Sequence, residues 1–166
     1  MDQTHIHLMI THLPIVGSVL GAIVLAYGLW KTSIHTQISA YILFIISSIG
    51  SVVSYLTGEA AEDKVENIGG ISENLVEQHE EFALIALIAL VVLGIMSLIA
   101  LVLTLKKYSS IRIVGLITLL ISLISFGLIA WTGYLGGRIR HTEINTSIVI
   151  PDFESAGIVL KSQRSA

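Results

Sequence analysis

Cysteine is absent from the 166-residue chain, which excludes disulfides, thiolate catalysis, cysteine-built zinc sites and cysteine-ligated iron–sulfur clusters. Charge is scarce as well. Asp, Glu, Lys and Arg make up 13% of the residues, against about 25% in an average soluble domain. No acid lies between Asp2 and Glu59, and none between Glu81 and Glu143. The net charge of −3 supplies no basic footprint for nucleic acid. Hydrophobic residues fill the gaps, at 54% of the chain and a mean hydropathy of +0.85. The setting these absences describe is a lipid bilayer.

A helix that crosses the hydrocarbon core needs roughly 20 mostly apolar residues. Four stretches qualify, at about 12–30, 38–56, 82–105 and 113–135, and none contains Asp, Glu, Lys or Arg. The expected fold is therefore all-α: an up-down, integral-membrane four-helix bundle over residues 1–137, followed by an extracytoplasmic tail over 138–166. No Lys or Arg precedes the first apolar run and no small-residue cleavage site follows it, so that run is expected to stay as a helix. Gly17 and Gly21 have the spacing of a close-packing seam, a spacing that chance also supplies in any glycine-containing membrane helix.

The two short connections hold Lys31, Lys106, Lys107 and Arg112 and no acid, whereas all twelve acids lie on the other side. Near span ends that other side offers only Lys64, Arg138 and Arg140. The positive-inside rule then puts the short loops in the cytoplasm, with both termini and the 57–81 connection outside a bacterial cytoplasmic membrane. That connection has its own pattern. Glu59–Glu66 continues the helical spacing of the second span, and Asn67–Gly70 interrupts it. Ser72 is then placed to cap a helix that runs through Leu75 and His79 into the third span, with Ile71 and Val76 as a hydrophobic staple. The tail from Thr142 is mixed, with a short apolar alternation at Ile148–Ile150 before Pro151.

Five of the six histidines fall on the outer side: His5, His7, His12, His79 and His141. His12 opens the first span, His79 precedes the third, His141 follows the fourth and Glu59 stands just beyond the second. An up-down bundle brings such positions to one depth, so a single centre could draw on all four helices. Histidine with carboxylate suits iron, copper or zinc. Leu75, His79, Phe82 and Ala83 make one helical stripe, and His5, Met9, His12 and Val16 make another. Val52, Tyr55, Glu59, Glu62 and Glu66 form a third. On this reading His12, His79, Glu59 and His141 are metal ligands, with His7, Glu62, Glu80 and Glu143 in supporting positions or at a second centre. His7 lies about 140° around a helix from His12, so the two cannot share one face. Pro14 is comfortable only in a first turn, which favours Thr11 as the N-cap. A solvated face accounts equally for Glu66, Glu73 and Glu77. Arg138 and Arg140 either reach lipid phosphate at the interface or clamp an acidic group, such as a haem propionate. Trp131 and Tyr134 fit an interfacial aromatic belt.

The His7-x4-His12-Leu-Pro opening, the His at the start of the third span and Gly136–Gly137 after the fourth resemble a bacterial group of four-helix membrane proteins. That group is catalogued as domain of unknown function 2231. The resemblance spans roughly residues 5–140 and carries over to His7, His12 and His79. It stops at His141, because the family's ending places a histidine slightly later, after a tyrosine. Some relatives are joined to Rieske-type redox domains, which implies electron-transfer surroundings and redox partners in the same membrane. Three functions follow as expectations. The first is a His/Glu transition-metal redox site at the outer face. The second is a b-type haem held by His12 and His79 from diagonal helices. The third is a non-redox structural or accessory subunit. Ion transport within one chain is disfavoured, because no span carries an ionisable residue at mid-depth.

Overall fold

The computed structural model describes residue 7 and residues 9–65 and 73–140, with the side chains of 59–65, 73, 139 and 140 outside that description. Within it lie four long helices: α1 (His12–Trp30), α2 (Ile34–Val65), α3 (Glu73–Leu105) and α4 (Ile111–Arg140). Each is long and apolar enough to cross a membrane. The helices form an antiparallel ring in which α1 neighbours α2 and α4, and α3 neighbours α2 and α4. The diagonals are α1 with α3 and α2 with α4. The all-α four-helix bundle expected from the sequence is the fold.

Helical backbone already begins before α1, at His7, Met9 and Ile10. The Thr11 amide bonds the His7 carbonyl at 2.9 Å, and Thr11 itself is right-handed with no side-chain cap. Pro14 sits in the first turn of α1, where its missing N–H costs least. At the other end both hairpins turn in the same way. Thr32 and Lys107 take the left-handed conformation, at φ 52° and 56°. The Ser33 amide then reaches back to the Gly28 carbonyl, and the Tyr108 amide to that of Leu103. This is a Schellman closure in each hairpin.

The polarity of the bundle is inverted relative to a soluble one. Its surface is apolar, with Ile23 and Leu120 each 60% exposed, an area no water-soluble monomer would present. Its interior is lined with hydroxyls instead: Ser18, Ser47, Ser54, Ser97, Thr118 and Ser125 are all buried. Without a hydrophobic driving force in lipid, small residues and hydroxyls at the seams let helices approach and bond across. Four stripes at coiled-coil spacing carry this interior. They are His7, Thr11, Pro14, Ser18, Ala22 and Leu25 leading into α1; Tyr41, Phe44, Ser47, Ser51, Ser54 and Gly58 on α2; His79, Ala86, Leu90, Leu93, Ser97 and Thr104 on α3; and Thr118, Ser122, Ser125, Ile129, Thr132 and Gly136 on α4. Gly17 and Gly21 do meet α2, against Ser47 and Phe44, so their spacing is a packing seam.

Ser18, Ser47 and Thr118 bond a carbonyl one turn back in their own helix, whereas Ser54 donates to the Thr11 hydroxyl at 3.3 Å and Ser125 donates across to the Ala89 carbonyl of α3 at 3.1 Å. Ser97 is fully buried and its hydroxyl has no hydrogen-bond partner among the described residues. Ser125→Ala is expected to cost about 0.6 kcal/mol, the average for such bonds in membrane proteins. Ser97→Ala should be neutral or stabilising by about 1 kcal/mol, because an unpaired polar group leaves the interior. Unfolding titrations of the two variants in detergent check the contrast.

Candidate functional site

The chemistry-bearing side chains gather at the bundle end opposite the two short turns, and the backbone there selects which histidines face inward. His7 lies one helical turn before Thr11 on the interior stripe. Its Nδ1 is 2.8 Å from the Ser54 carbonyl oxygen of α2, with the Thr57 hydroxyl 3.5 Å away. His79 occupies the matching place on α3, its Nδ1 3.1 Å from the Thr132 carbonyl oxygen of α4. A carbonyl oxygen only accepts, so Nδ1 carries the proton on both rings. In the neutral imidazole that leaves the lone pair on Nε2. Among the described residues no hydrogen bond engages either Nε2.

Each ring also presses on a glycine. A Cβ on Gly58 would lie 2.8 Å from the Cε1 of His7, and one on Gly136 would lie 3.1 Å from the Cε1 of His79. One turn deeper stand Thr11, Ser54 and Thr132, and Ala86 lies two turns beyond His79, all small. The layer is therefore two imidazoles from diagonal helices in a frame of small side chains.

His79 precedes the apolar run that starts at Phe82, and Glu80 and Glu81 follow it directly. Burial lowers its pKa from the usual 6.5; the bond to Thr132 and the charge of Glu80 act the other way, while the charge of His7 adds to the lowering. A lowered pKa keeps the imidazole neutral, the form that binds a metal.

The remaining sequence-based candidates fall elsewhere. His12 is exposed on α1, on the same flank as Met9, 69% exposed, and Val16, 47% exposed. The stripe that nominated it is the outward-facing, exposed stripe of α1. The hydroxyl-and-glycine stripe is the one that leads inward, and it contains His7. This exchanges the places expected for His7 and His12. Glu80 is exposed beside His79. Glu59 and Glu62 continue α2 beyond Gly58, and Arg140 ends α4, with their side chains outside the described residues. His141 and Glu143 lie outside them altogether. Arg138 is half-buried, its guanidinium carbon 5.9 Å from the centre of the Tyr134 ring. Tyr134, Trp131 and Phe82 stack edgewise and tilted along the same rim. Among the described residues no three His, Asp or Glu side chains converge as a ligand set for a bare ion. Such an ion would need ligands from Glu59, Glu62 or His141. An ion that brings its own equatorial ligands needs only the two imidazoles.

Compared with known protein families, with curated proteins and with solved structures, the chain matches none.

Proposed function

We propose that this chain is a multi-pass protein of the bacterial cytoplasmic membrane that holds a b-type haem at its outer end and passes electrons to redox partners in that membrane. The observation that carries the reading is the pair His7 and His79. They stand on diagonal helices, each with Nδ1–H tied to a neighbouring helix carbonyl and Nε2 left as donor. A metal-ligating histidine commonly makes such a bond through its other ring nitrogen, which fixes the ring and raises its basicity. A haem bound here would be held by the Nε2 atoms of His7 and His79 and would supply one-electron chemistry at its iron. Arg138 and Arg140 end α4 at the same level, where propionates would meet cationic groups.

The test is the visible spectrum and iron content of protein purified from cells supplied with iron and haem precursor. The proposal expects a sharp Soret band, reduced bands in the visible and one iron per chain. Stoichiometric copper, zinc or iron without a Soret band favours a His/carboxylate centre that includes Glu59 or His141. A colourless, metal-free protein overturns both readings and leaves a structural subunit.

A further inference from the structure

The two hairpins hold their histidines in the same way, although their sequences share little around them. In the first hairpin the ring of His7 bonds the carbonyl of a hydroxyl residue, Ser54, and glycine follows four residues later at Gly58. In the second the ring of His79 bonds the carbonyl of a hydroxyl residue, Thr132, and glycine follows four residues later at Gly136. This spacing has a physical reason. Within a helix a carbonyl is already bonded by the amide four residues on, and it keeps one further lone pair, which at Ser54 the His7 ring shares with the Thr57 hydroxyl at 3.1 Å. The side chain at that later position stands over the approach to that lone pair. Only glycine leaves the approach open to a ring.

We infer that Gly58 and Gly136, together with the Ser54 and Thr132 carbonyls, are positioning residues that lock both imidazoles as Nδ1–H tautomers and so keep Nε2 as the donor atom of each ring. The site is accordingly two matched half-sites, one from each hairpin, and its ligand would be a metal complex held by one Nε2 from each. The ligand class rests on the proposed haem reading. The tautomer lock does not, because it follows from the carbonyl contacts alone.

The full chain as purified is the sample, with ¹⁵N-labelled histidine and any haem reduced to its diamagnetic ferrous state. Ring nitrogen shifts at neutral pH are expected to show Nδ1 protonated in both His7 and His79. Gly58→Ala, whose Cβ would lie 2.8 Å from the ring, should move His7 to mixed tautomers. Gly136→Ala, at 3.1 Å, should move His79 by less. Gly137→Ala is the control, since its Cβ meets nothing within 4 Å among the described residues, and it should move neither. In haem-loaded protein the two active variants should also raise the midpoint potential, in the same order. A weaker Nδ1–H bond lowers the basicity of the imidazole and with it the stabilisation of ferric iron. If Gly58→Ala fails to accumulate, the milder Gly136→Ala carries the test. Ring shifts and potentials that match the Gly137→Ala control in both variants overturn the inference. Tautomers that move as described in a protein without haem uphold the lock and overturn the cytochrome reading instead.

Discussion

Alanine in place of either His7 or His79 is expected to abolish haem binding, while alanine in place of His12 should leave it intact. Removing only the hydrogen-bond partner of a ligating histidine weakens a metal site about 10–100-fold, so loss of the ligand itself should exceed that range. His12 is the informative control, because it lies within two helical turns of His7 yet is exposed. His35→Ala at the opposite end of the bundle should also bind normally. Acid should act on His79. The pKa of His79 is lowered in the folded chain, chiefly by burial, so below about pH 6.5 the unfolded chain binds protons that the folded chain does not. The stabilising contribution is complete above that pH and is lost as the pH falls through the lowered value. Acid should also release haem, because protonated imidazole cannot ligate. A Soret-band titration of wild type against His12→Ala, with coincident curves expected, checks both claims. A His12→Ala variant that loses the pigment while His7→Ala keeps it would reverse the assignment.

The second large effect concerns the seam between α1 and α2. Phe44 is fully buried, and its ring fills the space over Gly21, where a Cβ would fall 2.5 Å from the ring Cε1. Removing the ring opens a cavity between two tightly apposed helices. Phe44→Ala should therefore cost about 3–5 kcal/mol, the usual range for a core phenylalanine. Gly21→Leu alone should be comparably damaging, since the new side chain has only the Phe44 ring to displace. Combined, the two changes exchange volume across one contact, so the double variant should be more stable than the sum of the single losses predicts. Unfolding in denaturing detergent, read by helical signal, measures all three. Additive losses would mean that Phe44 and Gly21 do not share one packing site.

Much of the fold was legible because lipid imposes a plain rule: a charge-free apolar run of sufficient length becomes a helix. The first span, read as 12–30, coincides with α1. The others are longer than their apolar runs, with α2 reaching Val65 and α3 beginning at Glu73. Helical spacing in Glu59–Glu66 and around Leu75–His79 had pointed to such extensions, since a helix continues past the bilayer wherever its spacing does. The candidate site was legible only in part. His79 was accessible because the stripe through Phe82 and Ala83 leads toward the interior. His7 was passed over in favour of His12 because an apolar stripe was read as inward, a rule for water-soluble bundles. The hydroxyls at Thr11 and Ser18 and the glycine at Gly21 carried the contrary signal. The partners of the two rings are backbone carbonyls, and a carbonyl leaves no mark in a sequence. Only the glycines four residues later, Gly58 and Gly136, hint at where a ring approaches.

The most direct test of the central claim is the electron paramagnetic resonance spectrum of the oxidised, haem-containing protein, recorded for wild type and for the His7→Ala and His79→Ala variants. The account predicts a low-spin ferric signal of two axial imidazole nitrogens in wild type and its loss in each variant. A two-imidazole signal that persists in His7→Ala, or a wild-type iron with a single nitrogen ligand, would contradict it.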